Sequence, residues 1–251
     1  MDKTVGAGFP RPEKGRGDRA PTIDLSSIKA VFFDAGGTLF KPYPSVGEIY
    51  AQVAGRHGLK AHAHELETLF HETWKARDGL ASLSSHSGEK EERKWWYALV
   101  REVFSKIGKV TDFELFFEEL YDLFARPEAW RLFPDVLPVM QELKKRGKVV
   151  GIVSNWDSRL FGICEGLGLS SHLDFILASA VVGAAKPHPR IFQEALRRAQ
   201  VLPGEAVHVG DSLTDDVWGA EQAGIRGILI DRSGLRLSQA PTITQLQFFT
   251  E

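Results

Sequence analysis

The chain has 251 residues, 43% apolar and 25% charged, with 31 Lys and Arg against 33 Asp and Glu for a formal charge of -2. That composition excludes disordered, fibrous and collagen-like proteins, and the balanced charge gives no basic field to hold nucleic acid or an anionic membrane. No apolar run approaches the roughly 18 residues of a spanning helix, and one cysteine, Cys164, excludes an internal disulfide framework and fits a reducing, cytoplasmic setting.

Residues 1–27 mix Gly6, Gly8, Pro10, Pro12, Gly15, Gly17 and Pro21 with scattered charges and read as a flexible leader. Ala30-Val31-Phe32-Phe33 then reads as a strand buried on both faces, ending at Asp34 and followed by Gly36-Gly37. Residues 43–129 read as helical throughout. Val46 to His57, His64 to Arg77, Glu89 to Ile107 and Phe113 to Phe124 carry apolar residues at three- and four-residue spacing. Thr111-x-x-Glu114 resembles a capping box, and Ser82 to Gly88 reads as a loop. After Pro134, strands and helices alternate. Strands at 149–153, 175–178, 206–209 and 227–230 are separated by helices at 136–145, 159–167, 189–199 and 215–223. This alternation implies right-handed crossovers and an open parallel sheet covered on both faces. Residues 28–42 and 130–251 therefore form one α/β core, interrupted by a helical insertion.

In such sheets ligands bind at the carboxyl ends of strands, where the strand order reverses. Here strands end at Asp34, at Ser154-Asn155 and at Gly210-Asp211, and Lys186 lies in the loop after the 175–178 strand. An Asp, a hydroxyl, a Lys and a second Asp at one rim make an anion site with a divalent cation. Two carboxylates suit Mg²⁺, which prefers oxygen ligands. Lysine and hydroxyl donors suit phosphate oxygens, and Asp34 pointed into the site is a nucleophile on phosphorus.

Asp34-Ala35-Gly36-Gly37-Thr38-Leu39, Ser154-Asn155, Lys186-Pro187 and Gly210-Asp211-Ser212-Leu213-Thr214-Asp215-Asp216 resemble, in order, the four motifs of the haloacid dehalogenase superfamily. The resemblance implies a Rossmann-like core with a helical cap of the C1 type inserted after the first motif. It implies Asp34 as nucleophile and metal ligand, the Gly36 carbonyl and Asp211 as further ligands of Mg²⁺, and Thr38, Ser154 and Lys186 holding the transferred group. Asp216 or Asp215 would brace the metal waters or Lys186, and Asn155 would lie at the substrate. The expected partner is a small phosphorylated metabolite, and no sequence feature fixes an oligomeric state.

Phosphatases of that superfamily carry a second Asp two residues after the nucleophile, and this chain has Gly36. A general acid or base at such a place contributes about 10²–10⁴-fold in rate. The expectation is therefore a slow phosphatase, with a non-catalytic phosphate- or partner-binding module as the competing reading. Restoring the carboxylate with Gly36→Asp is expected to raise turnover. His57, His62, His64, His71 and His86 lie in the insertion as substitutes for the missing group. Metal-free dehalogenation is disfavoured by Gly210-Asp211. Phosphonate cleavage would need a Schiff-base lysine among Lys60, Lys75, Lys90 and Lys94, of which Lys94 beside Trp95-Trp96 has the most apolar surroundings.

Overall fold

A computed structural model describes residues 26–235, 238 and 240–249. The expected leader falls, except for Ser26 and Ser27, outside the described residues.

Ala30–Phe33 (β1) is buried at all four positions, as a central strand requires. Phe40–Pro42 (β2) follows, then the helices Val46–Arg56 (α1), Ala63–Ala76 (α2), Glu89–Ile107 (α3) and Phe113–Leu123 (α4). The chain returns through Trp130–Leu132 (β3), which pairs antiparallel with β2. There follow Val136–Lys145 (α5), Val149–Ser154 (β4), Arg159–Gly166 (α6), Phe175–Ala178 (β5), Ser179–Val182 (α7), Pro189–Ala199 (α8) and Ala206–Gly210 (β6). Gly219–Gln222 (α9), Arg226–Ile230 (β7) and Thr242–Ile243 (β8) complete the order. The main sheet runs β5-β4-β1-β6-β7-β8, parallel throughout. Counted along this sheet alone the order is 3-2-1-4-5-6, the doubly wound Rossmann-like arrangement, and its switch point lies between β1 and β6.

Side chains on a strand alternate between faces, and the apolar core divides accordingly. Val31 and Phe33 join Val150, Ile152, Met140 and Leu160 on one side, while Ala30 and Phe32 join Val153, Ile191, Phe192 and Ala195 on the other. The helical segment buries a cluster of its own, rich in aromatic rings: Tyr50, Trp95, Phe104, Phe116 and Phe117, with Leu66 and Leu99. Trp130 touches both this cluster and the core beneath β1.

Local chemistry departs from the sequence expectation in five places. Asp112, not Thr111, caps α4, its Oδ1 accepting from the N–H groups of Glu114 (3.0 Å) and Leu115 (3.2 Å). The Thr111 hydroxyl instead donates to the His57 carbonyl. Gly79–His86 is a 3₁₀ segment kinked at Ser84 where a loop from Ser82 to Gly88 is expected. The β2–β3 ribbon and β8 are too short to leave a periodic signal. The single helix expected over 215–223 is a π-helical turn, Leu213–Trp218, leading into α9.

Candidate active site

The carboxyl ends of β1, β4 and β6 meet at the switch point, and the polar residues that end them converge there. The Asp34 N–H donates to the Val209 carbonyl, which keeps Asp34 in register with β6 as it leaves β1. Ser154, the last residue of β4, donates its hydroxyl to Asp34 Oδ1 at 2.9 Å. Lys186 Nζ reaches the same oxygen at 2.6 Å and Asp216 Oδ1 at 2.6 Å. The Asn155 side chain holds the Lys186 backbone from both sides: Nδ2 donates to the carbonyl (3.0 Å) and Oδ1 accepts from the N–H (2.6 Å). The π turn after β6 brings Asp216 back against Ser212, whose N–H donates to Asp216 Oδ2. Inserted turns of this kind recur at functional sites.

Lys186 is 2% exposed, so its charge survives only through its partners. Burial works against the ammonium, but the carboxylates of Asp216 and Asp34 outweigh it and hold Lys186 above its ordinary range. Burial also works against Asp216, and Lys186 with His208 holds its carboxyl well below the usual value. Asp34 is pushed up by burial and by the Asp216 charge, against the pull of Lys186.

Asp34, Asp211 and Asp216 each offer a carboxylate oxygen within 4.8 Å of the others. Asp216 is held by Lys186, His208 and the Ser212 N–H, and Asp34 and Asp211 complete the oxygen cluster with it. An oxygen-only donor set fits a hard divalent cation such as Mg²⁺. Gly37 lets the Asp211 carboxylate approach the backbone: φ is +76°, and a methyl group on its Cα would sit 2.6 Å from Asp211 Oδ2. The buried Thr38 hydroxyl has no hydrogen-bond partner among the described residues. A buried orphan donor beside such a cluster fits a missing anion oxygen.

The other polar residues weighed for the site make contacts of their own. Asp215 is braced by Thr214 and Ser212 rather than by Lys186, and burial with the Asp216 charge pushes its carboxyl up to about 6. His57 pairs with Glu119 and His71 with Glu67, while His62, His64 and His86 are exposed. Lys60, Lys75, Lys90 and Lys94 are all exposed, the solvent-facing placement their surroundings in the sequence suggest, and this includes Lys94 beside Trp95-Trp96.

Three further residues belong to the surroundings of the site, of which only Trp156, directly after the Ser154-Asn155 pair, stands out in the sequence. His208, fully buried inside β6, bonds Asp216 Oδ1 through Nε2 at 2.9 Å, and burial lowers its pKa, favouring the neutral ring. Trp156 lies over Gly36: a methyl group on Gly36 would meet ring carbon Cζ3 at 3.2 Å. Glu92 of α3 accepts from the Ser87 and Ser179 hydroxyls at 2.5 Å each, and burial pushes its carboxyl up to about 7. A buried polar residue within an apolar period is invisible to pattern reading.

A doubly wound sheet with a lysine-bridged carboxylate pair and a third acid at its switch point defines an α/β protein of Rossmann-like topology with an acidic, cation-ready rim. It belongs to the haloacid dehalogenase-like hydrolase family, whose profile matches residues 28–224. It is 36% identical over 213 residues to haloacid dehalogenase-like hydrolase domain-containing protein 3 of Bos taurus, covering 81% of this chain and 82% of that protein. Among solved structures it resembles a HAD phosphatase from Thermococcus onnurineus (28% identity, TM-score 0.64, 89% of this chain and 97% of that one). It also resembles a 2-haloacid dehalogenase from Pseudomonas syringae pv. Tomato DC3000 (28% identity, TM-score 0.58, 88% of this chain and 96% of that one).

Proposed function

We propose that the chain is a Mg²⁺-dependent phosphatase that hydrolyses a small phosphorylated metabolite through an aspartyl-phosphate on Asp34. The observation that carries this reading is the meeting of Asp34 and Asp211 within 4.8 Å, with Lys186 Nζ on Asp34 Oδ1. Lys186 and Ser154 both bond Oδ1, which leaves Oδ2 as the oxygen that attacks phosphorus in line. Asp34, Asp211 and the Gly36 carbonyl are the ligands of the cation. When bound, Mg²⁺ supplies neutralisation of the phosphoryl charge and favours the ionised form of Asp34.

Lys186, Ser154 and Thr38 hold the remaining phosphoryl oxygens, with donors fixed in place before the substrate arrives. Asn155 and Asp216 position Lys186, one by its backbone and the other by its ammonium. Residues 43–129 act as the cap over this rim, excluding water and selecting substrate. Gly36 gives no proton to the leaving oxygen, so the reaction is slow and favours esters that depart as stable anions. The likeness to a phosphatase and to a dehalogenase supports covalent catalysis by Asp34 in either case. The cluster of three carboxylates favours the metal-assisted, phosphoryl-transfer reading.

Gly36 is also the observation that favours a second reading, a phosphate-binding module without turnover. The two readings part on p-nitrophenyl phosphate with Mg²⁺. Turnover that falls at least about 10³-fold in Asp34→Asn supports the enzyme. Zero turnover together with phosphate binding supports the module and overturns the enzyme.

A further inference from the structure

We propose that Trp156 is a specificity-determining residue: its indole walls the leaving-group side of the pocket and accepts a planar aryl group there. The proposal rests on the phosphatase reading and deepens it.

Burial marks which way the pocket opens. Asp34, Ser154, Lys186 and Thr38 are buried, whereas Gly36 and Trp156 are partly exposed. In-line attack by Asp34 sends the leaving oxygen away from the nucleophile, toward that exposed side. Around phosphorus, Lys186 and Ser154 lie on one flank, and Asp211 packs against Gly37 on another. The space over Gly36 is therefore the wall the leaving group meets, and the ring that borders it belongs to Trp156.

The ring is also held still. The Trp156 backbone N–H donates to Ser179 Oγ (2.9 Å), and the indole packs edge-on against a contacting pair of rings, Trp130 (centroids 4.9 Å apart) and Phe40 (5.8 Å). The next residue, Asp157, is fully buried and tied to Arg159 and Tyr121. A side chain at position 36 must displace this ring by a few tenths of an ångström, and the ring has little room to yield. Glycine at 36 and tryptophan at 156 are thus one packing solution. The pocket gives up a carboxylate and gains a rigid aromatic face.

The chemistry agrees with the packing. As the Asp34–phosphorus bond forms, the phosphorus–oxygen ester bond breaks and the leaving oxygen takes the electron pair. A phenoxide, with a conjugate acid of pKa about 10, carries that pair without a proton far more readily than an alkoxide. The same aryl group gains stacking against the indole. An aryl phosphate therefore suits both halves of the site.

The test compares kcat and KM for phenyl phosphate and propyl phosphate, with Mg²⁺, in wild type, Trp156→Ala and Trp156→Phe. The expected result is that Trp156→Ala lowers the aryl-to-alkyl ratio of kcat/KM about tenfold, mainly through KM, and Trp156→Phe keeps most of it. A ratio unchanged within about twofold in Trp156→Ala overturns the proposal. A second measurement needs no turnover and no variant. Wild type with Mg²⁺ is expected to bind phenylphosphonate about tenfold more tightly than methylphosphonate, and equal affinities overturn the proposal. Gly36→Asp is expected to gain activity on propyl phosphate only when combined with Trp156→Ala, and a gain in the single variant overturns the packing argument. If wild type cleaves neither ester, or Asp34→Asn keeps its turnover, the phosphatase reading fails instead, and the phosphonate preference still judges Trp156.

Discussion

Two buried carboxyls, Asp216 at the rim of the sheet and Glu92 where α3 meets α7, are almost equally hidden from water and respond in opposite directions. Asp216 lies against the Lys186 ammonium and the His208 ring, and its carboxyl is held far below the ordinary value. Glu92 accepts from the neutral hydroxyls of Ser87 and Ser179 with no cation bonded to it among the described residues, and burial, aided by the Asp157 and Glu89 charges, lifts it to about 7. Burial alone does not decide charge; the partner does. The rim keeps a full negative charge ready for chemistry, and the junction keeps a carboxyl that is half neutral at physiological pH.

Removing the rim cation breaks this contrast with the largest effect. Lys186→Met leaves Asp34 and Asp216 buried without the cation they share, so stability falls by about 3–5 kcal/mol. Urea titration checks this, and a variant as stable as wild type contradicts the pairing. Activity on p-nitrophenyl phosphate is expected to vanish with it.

Glu92 sharpens the comparison through pH. Its folded-state pKa of about 7 exceeds the ordinary 4.5, so between these values the folded chain holds a proton that the unfolded chain has released. The stability it contributes is full below the ordinary value and is lost as pH rises through the folded one, by about 3 kcal/mol at most. Glu92→Gln keeps an oxygen for the two hydroxyls and no longer titrates. Denaturation midpoints measured from pH 5 to 8 are expected to show the variant gaining on wild type as pH rises. Parallel curves would mean that Glu92 is already ionised in the folded chain.

Asp112 is the smallest case, a carboxylate at the exposed start of α4 with backbone N–H groups as partners. Asp112→Ala is expected to cost about 1 kcal/mol in thermal unfolding, with no loss of activity. A loss equal to that of Lys186→Met would remove the distinction between a cap and a buried ion pair.

Much of this architecture can be read from the chain. Five of the six strands of the main sheet, all but the two-residue β8, announce themselves as apolar runs, because parallel strands are buried on both faces. Asp34, Ser154 and Asp211 could be named because they stand at the ends of those runs, and Lys186 because Lys186-Pro187 falls in order among the four motifs. Asp216 could be narrowed only to a pair with Asp215, since a π turn decides which of two adjacent acids faces Lys186. His208 sits at an inward position of β6, where any apolar residue would give the same pattern. Glu92 and Ser179 lie 87 residues apart, and nothing local links them. The expected benefit of Gly36→Asp changes for the same reason. Its obstacle is the Trp156 ring, which only the fold brings over Gly36.

Trapping the covalent intermediate tests the central claim most directly. The chain is mixed with Mg²⁺ and an aryl phosphate labelled at phosphorus, quenched in acid, digested and mapped. Label on the peptide that holds Asp34, released by hydroxylamine and absent from Asp34→Asn or after chelation of the metal, is the predicted result. Steady turnover with no label on that peptide, or with label on another residue, would contradict it.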